Sequence, residues 1–163
     1  MKETAVLYFS RDGSTRIAAG IIAEKLDADL VELVEQKAGR NFLFSGFKAA
    51  SKKHSVLAGD PWAQISGCST LVIGSPIWAG NGNPAVNGFL DKADLTGKTV
   101  YIFTLQADKG RGKSDEVLAH FTGRVEAVGG TVAGTMALTG APPGKTAEEG
   151  VLKEALSSWE LLK

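Results

Sequence analysis

The chain has 163 residues, of which 44% are hydrophobic and 22% are charged, values that are typical of a globular protein. We expect residues 1–163 to form one domain, because this length suits a single domain. Eighteen basic residues balance eighteen acidic ones, which argues against the strongly basic surface of a protein that binds nucleic acid or acidic membranes. Cys68 is the only cysteine, so no internal disulfide forms, and no apolar run approaches the length of a membrane span. These features predict a cytoplasmic protein without membrane insertion.

Strand-like and helix-like segments alternate along the chain. Apolar or alternating segments predict strands at 5–9, 29–34, 69–75, 98–105 and 131–138. Apolar residues at helical spacing predict helices at 17–26, 84–93, 114–128 and 147–162. This repetition predicts an α/β fold, a doubly wound five-stranded parallel sheet in three layers with helices on both faces. The leading strand order is 2-1-3-4-5, in which a ligand binds outside the carboxyl ends of strands 1 and 3.

A turn rich in hydroxyl groups links the first strand to the first helix. It would aim backbone N–H groups and the positive end of the helix dipole at one point, where a phosphate monoester would fit. The hydroxyl groups in the turn would add further donors. The alternative is that these residues are ordinary helix caps. The turn consists of Ser10, Arg11, Asp12, Gly13, Ser14 and Thr15.

A glycine-rich loop follows the third strand. Its glycines permit a planar ligand to approach the backbone closely, and Trp78 offers a flat face for stacking. The alternative is that Trp78 packs into the core. Pro84 suits the first turn of the helix that comes next. The candidate ligand-binding residues of this loop are Ser75, Pro76, Ile77, Trp78, Ala79, Gly80, Asn81 and Gly82.

The segment after the fourth strand is expected to reach the same crevice. Its backbone amides, together with Gln106 or Asp108, would face a polar edge of the ligand. The alternative is an ordinary solvated loop. The candidate residues are Leu105, Gln106, Ala107, Asp108 and Gly110.

Other patterns that bind nucleotides or metals do not hold. Three Gly-Lys-Ser/Thr triplets, at 97–99, 112–114 and 144–146, lack the upstream glycine of a P-loop. The segment 80–85 imitates a dinucleotide fingerprint but follows the third strand instead of the first. His54 and His120 stand in no metal-ligand pattern, and no nucleophile–base arrangement is evident. We therefore assign no metal site and no catalytic residue.

The turn at 10–15 and the loop at 76–80 together resemble the flavodoxin-like family, and the element order does so along nearly the whole chain. The family's phosphate loop commonly reads Ser/Thr-x-Thr-Gly-Asn/Ser-Thr, and here it reads Ser-Arg-Asp-Gly-Ser-Thr. The resemblance implies that FMN binds, with its phosphate held by the hydroxyls of Ser10, Ser14 and Thr15 and by the amides of residues 12–15. Residues 76–80 and 106–110 would be the two loops in contact with the flavin ring.

Asp12 departs from the family pattern, in which a hydroxyl residue is usual. A carboxylate repels a phosphate unless it turns away or caps the helix, or unless Arg11 or Arg16 offsets its charge. A similar Arg-Asp-Gly loop occurs in flavin enzymes that resemble menaquinone-dependent protoporphyrinogen dehydrogenase, so Asp12 is compatible with FMN. The second ring loop also lacks the tyrosine or tryptophan that often covers one face of the flavin, which implies a more exposed ring.

Residues 41–53 fit an amphipathic helix, with aromatic side chains on one side and lysines on the other. We expect this helix to cover the sheet. The alternative is an aromatic patch that is exposed for a partner or for the edge of a flavin.

The resemblance implies a redox function. The leading interpretation is an electron-transfer carrier between a reductase and an acceptor protein, because no proton-transfer residue or substrate-pocket motif is identifiable. The second is an FMN-dependent NAD(P)H:quinone-type oxidoreductase that acts on a small quinone. The third is an anion-binding domain without flavin chemistry. We expect a monomer or a weak dimer with no nucleic-acid partner.

Overall fold

The computed structural model describes residues 2–36, 54–107 and 113–163. The predicted helix at 41–53 lies outside the described residues. The elements in chain order are β1 (Thr4–Tyr8), α1 (Ser14–Leu26), β2 (Asp29–Glu32), α2 (Pro61–Gln64), β3 (Thr70–Pro76), α3 (Pro84–Leu90), β4 (Thr99–Gln106), α4 (Lys113–Ala127), β5 (Thr131–Thr139) and α5 (Glu149–Leu156), followed by a 3-10 helix at Glu160–Leu162.

The strands form one sheet of five strands in the order β2-β1-β3-β4-β5, and every neighbouring pair is parallel. The register brings Tyr8 of β1 opposite Gly74 of β3, and Gly74 opposite Phe103 of β4. Parallel neighbours end at the same edge, so the segments after β1, β3 and β4 leave the sheet side by side. The predicted fold class and strand order are confirmed.

Two apolar layers enclose the sheet, because successive side chains of a strand point to opposite faces. Ala5 and Leu7 of β1 belong to the core on the side of α3 and α4, which includes Phe89 and Phe121. The intervening residues, such as Val6, belong to the core on the side of α1 and α5. Both faces are therefore covered, as expected of a parallel sheet.

The predicted helix at 147–162 is interrupted. The hydroxyls of Ser157 and Ser158 donate to the carbonyls of Glu154 and Ala155 at 2.6 and 2.9 Å, and α5 ends before them. Trp159 then adopts an extended backbone, with φ −76° and ψ 124°. This bend brings its ring into edge contact with Tyr101 and Phe103, at centroid distances of 6.1 and 6.3 Å.

A short helix, α2, was not predicted from the sequence. The carboxylate of Asp60 accepts a hydrogen bond from the amide of Ala63 at 2.9 Å, and Pro61 occupies the first helical turn. The Gly-Asp-Pro segment that signals a chain break therefore also starts this helix. Within the described parts of the chain, no helix has the length and apolar character needed to cross a bilayer.

Candidate binding cleft at the carboxyl edge of the sheet

A cleft lies where β1, β3, β4 and β5 end, at the edge where parallel sheets of this order bind ligands. The segments after all four strands contribute to it. The sequence-predicted residues that line it are Ser10, Arg11, Asp12, Ser14, Thr15, Pro76, Ile77, Trp78, Leu105, Gln106 and Ala107.

The turn after β1 presents free hydrogen-bond donors to this cleft. Gly13 adopts φ +97°, a left-handed conformation that suits glycine, and its amide donates to Oγ of Ser10 at 3.2 Å. Helix α1 begins at the next residue, and the first intrahelical bond runs from Ile17 to the carbonyl of Gly13. Among the described residues, nothing accepts a hydrogen bond from the amides of residues 14–16. These amides and the helix dipole therefore favour an anion.

Thr15 adds a hydroxyl donor at the same place. The residue is 3% exposed and lines the cleft. Its hydroxyl forms no hydrogen bond with a described residue and is not among the fully enclosed unpaired atoms, so it can donate to a group in the cleft.

The carboxylate of Asp12 is held by other groups. Oδ1 lies 3.4 Å from Nε of Arg11, and Oδ2 accepts from the amide of Gly144 at 3.4 Å. Arg16 instead pairs with Glu32 at 2.5 Å. Arg11, and not Arg16, is therefore the counter-ion of Asp12. Asp12 does not cap α1, because Gly13 occupies the N-cap position.

Behind the turn, Tyr8 and Arg16 both bind Glu32. The Tyr8 hydroxyl donates to Glu32 at 3.2 Å, and burial is the main reason that the pKa of Tyr8 is raised. The hydrogen bond to Glu32 is the main cause of a raised pKa of Arg16. This group anchors α1 to β2 and leaves Arg16 unavailable to the cleft.

Trp78 both lines the cleft and packs against the core. Its ring meets Phe9 edge-on at a centroid distance of 5.5 Å, and the Arg11 guanidinium carbon lies 4.6 Å from the ring centroid. A two-residue turn holds it, because Trp78 and Asn81 exchange backbone hydrogen bonds of 3.2 and 2.9 Å. Ala79 and Gly80 in this turn have φ +49° and +76°. The Trp78 ring is therefore part of the cleft surface and also packs against the core.

A mainly apolar cavity continues the cleft and shares Ile77, Gln106, Ala107 and Pro143 with it. We call the cleft and this cavity together the groove. Its further residues are Ala79, Gly80, Pro142 and Lys113 of α4. The stem of Lys113 lies against Gly80, since a Cβ atom added to Gly80 would stand 3.1 Å from Cγ of Lys113. Lys113 also pairs with Glu116 at 3.0 Å.

Four of the described predicted residues do not line the groove. Gly13 is the N-cap of α1 and lies outside the lining. Ser75 is fully buried and its hydroxyl donates to the carbonyl of Pro76 at 3.0 Å. Asn81 closes the turn that holds Trp78. Gly82 lies under α4, where an added Cβ would approach the Phe121 ring to 2.8 Å. Asp108 and Gly110 lie outside the described residues.

The sequence analysis missed the loop between β5 and α5, residues 140–147. It joins the turn after β1 through three hydrogen bonds, from Gly144 to Asp12, from Thr146 to the Asp12 carbonyl at 2.6 Å, and from Ala147 to Oγ of Ser14 at 2.9 Å. The signal was present, because the loop is rich in glycine and proline and follows a fifth strand whose carboxyl end lies at this edge. The groove residues of this loop are Gly140, Ala141, Pro142, Pro143 and Lys145.

Solved structures resemble this architecture. No family model matches the chain, and no curated protein matches it in sequence. A flavoprotein structure from Bacteroides uniformis ATCC 8492 is 22% identical and has a TM-score of 0.67, over 96% of this chain and 98% of that one. The chain has the flavodoxin-like fold.

Two further structures with the flavodoxin-like fold cover most of the chain. A WrbA-like flavodoxin from Agrobacterium tumefaciens is 20% identical with a TM-score of 0.64, over 96% of this chain and 98% of that one. A flavoprotein from Lactobacillus acidophilus NCFM, solved in complex with FMN, is 20% identical with a TM-score of 0.59, over 84% of this chain and 93% of that one. The resemblance inferred from the sequence is confirmed as a flavodoxin-like fold.

Among the described residues, no cluster of histidine, cysteine, aspartate or glutamate could hold a metal ion. The groove also offers no histidine, cysteine or tyrosine among its described lining residues. The groove thus has a turn with unpaired amide donors at one end and apolar surface at the other.

Proposed function

We propose that this chain binds FMN in the groove and transfers electrons between redox partner proteins. The observation that carries the proposal is the turn after β1, where the unpaired first amides of α1 lie beside Thr15, a largely buried residue that lines the same cleft. This donor set suits a phosphate monoester. The FMN complex of the similar Lactobacillus flavoprotein supports the choice of ligand.

The rest of the groove suits a planar ring. Trp78, Ile77 and Pro143 supply apolar surface beyond the anion-binding turn, and Gln106 supplies an amide that can bind a polar ring edge. The turn that contains Ala79 and Gly80 brings backbone to the surface beside Trp78. When bound, FMN would supply the redox chemistry, and these residues would orient its ring and exclude water from it.

We favour a carrier over an enzyme. In the groove, Asp12 is held by Arg11 and Gly144 and Lys113 pairs with Glu116, so neither is placed to pass a proton to a substrate. The proposed partners are therefore proteins that exchange electrons with the exposed ring.

The second candidate is an FMN-dependent NAD(P)H:quinone-type oxidoreductase. The observation that favours it is the composition of the groove near Lys113. Ala79, Pro142 and Pro143 line this side, and no described lining residue there is aromatic. Such an open side leaves room for a small planar substrate beside the flavin. A positive side chain there would also stabilise negative charge on a reduced ring.

Reconstitution with FMN tests the proposal. Purified protein is mixed with FMN, binding is followed by quenching of flavin fluorescence, and the complex is titrated anaerobically with dithionite. Binding followed by two separate one-electron steps in the visible spectrum is expected of the carrier. A single two-electron step together with NAD(P)H-dependent quinone reduction would favour the oxidoreductase. Failure to bind FMN would contradict both.

A further inference from the structure

The β5–α5 loop holds one lysine in a fixed relation to the anion-binding turn. Gly144 and Thr146, the residues on either side of Lys145, both bind Asp12, through the 3.4 Å bond to its carboxylate and the 2.6 Å bond to its carbonyl. Ala147 then binds Ser14, the first residue of α1. The backbone on both sides of Lys145 is therefore tied to the turn, and its side chain lines the same cleft as Thr15.

The charge of Lys145 is not taken up by another side chain in the described structure. Lys145 is exposed and forms no ion pair with a described residue, whereas the nearby carboxylate of Asp12 pairs with Arg11 at 3.4 Å. The cleft lining thus contains two cations, Arg11 and Lys145, against one carboxylate. The excess is one positive charge, beside amides that already favour an anion.

We infer that the β5–α5 loop is a fourth cofactor-binding segment, beside the turn after β1 and the two ring loops, and that Lys145 binds the phosphate of FMN. This inference rests on the proposed function. A phosphate monoester carries about −1.5 to −2 charges at pH 7, whereas a helix N-terminus supplies the equivalent of only about +0.5. A lysine ammonium supplies the missing charge as a mobile donor. Thr15, which is 3% exposed and lines the cleft, adds a neutral hydroxyl donor to the same end of the groove.

Comparing FMN with riboflavin tests this role, because riboflavin has the same ring and lacks the phosphate. Dissociation constants of both are measured by flavin fluorescence quenching for the wild type, Lys145→Gln, Lys145→Arg and Lys25→Gln. Lys25 is the matched control for net charge. It lies in the last turn of α1, 11 residues after Ser14 and so about 16 Å along the helix, beyond the screening length at physiological salt.

We expect Lys145→Gln to weaken FMN binding about tenfold and to reduce its salt dependence, as removal of one charged hydrogen bond should. Riboflavin binding should not change, Lys145→Arg should recover most of the FMN affinity, and Lys25→Gln should match the wild type. An unchanged FMN affinity in Lys145→Gln, or equal losses of affinity for FMN and riboflavin, would overturn the inference about Lys145. The proposed function would still stand in that case, provided that the wild type binds FMN. A wild type that binds neither flavin would overturn both.

Discussion

Replacing Gly13 with alanine should destabilise the protein through two separable effects. Gly13 has φ +97°, and an added Cβ would lie 3.3 Å from both Cγ2 and Oγ1 of Thr146. The left-handed backbone costs a residue with a side chain about 1–2 kcal/mol. Displacing Thr146 from its preferred rotamer adds about 0.5–1.5 kcal/mol. We expect a total loss of about 2 kcal/mol in the free energy of unfolding, or about 4–8 °C in Tm for a chain of this size.

Gly97 provides the matched control. It has φ +75°, and an added Cβ would meet nothing within 4 Å. Gly97→Ala should therefore report the backbone cost alone, about 1 kcal/mol. Urea unfolding of both variants, measured without added flavin, gives the two losses on one scale.

A double-mutant cycle isolates the contact with Thr146. Thr146→Ala removes both crowded atoms. In that background, Gly13→Ala should therefore lower the free energy of unfolding by no more than Gly97→Ala does. Thr146→Ala also removes the hydrogen bond to the Asp12 carbonyl, and the double-mutant cycle subtracts this loss. Equal losses for Gly13→Ala and Gly97→Ala in the wild-type background, or strict additivity of Gly13→Ala and Thr146→Ala, would refute the contact argument.

Three further predictions concern the groove and the opposite edge of the sheet. Trp78→Leu should weaken binding of FMN and riboflavin alike, roughly tenfold by fluorescence quenching, whereas Trp62→Leu, which removes a ring stacked on α3, should leave both unchanged. Burial is the main cause that raises the pKa of Cys68, which keeps the thiol neutral. It should react with a disulfide reagent at pH 8 far more slowly in the folded protein than in urea, and equal rates would contradict its burial. The stability that comes from this raised pKa should be complete below the pKa of the unfolded thiol and lost as pH rises through the folded one. Lys98→Met should lower the free energy of unfolding by about 1–3 kcal/mol, because the carbonyls of Ser66 and Cys68, in the segment between α2 and β3, lose their donor. A urea midpoint equal to that of the wild type would contradict this.

The sheet was predictable because its signals are local. Each strand is an apolar run followed by a turn, and parallel strands buried on both faces keep that character along their whole length. The interruption after α5 was not predictable in the same way. The spacing of Leu152, Leu156 and Trp159 is helical, but contacts with Tyr101 and Phe103 on β4 favour an extended Trp159.

That the turn after β1 and Trp78 line one cleft was predictable, because composition and position in the chain agree there. The direction of the Asp12 carboxylate was not, because its partner Gly144 is 132 residues away in sequence. The position of Gly82 also depends on packing. Its contact with Phe121 of α4 cannot be predicted from the glycine-rich sequence of the loop alone. The assignment of residues 1–163 to one domain, the helix at 41–53 and the cofactor-binding roles of all the predicted site residues stay predictions.

The hydrogen bonds between the turn at 10–15 and the loop at 140–147, which span 132 to 134 residues, also bear on the order of assembly during synthesis. β1 and α1 leave the ribosome long before β5 does, so a nascent chain cannot complete the cleft until its last strand has docked. A ligand that requires the complete cleft stabilises finished molecules by RT ln(1 + [L]/Kd), about 2.7 kcal/mol when its concentration is 100 times its Kd. Partly folded chains gain none of this, so a supply of such a ligand would shift the population towards chains with β5 in place.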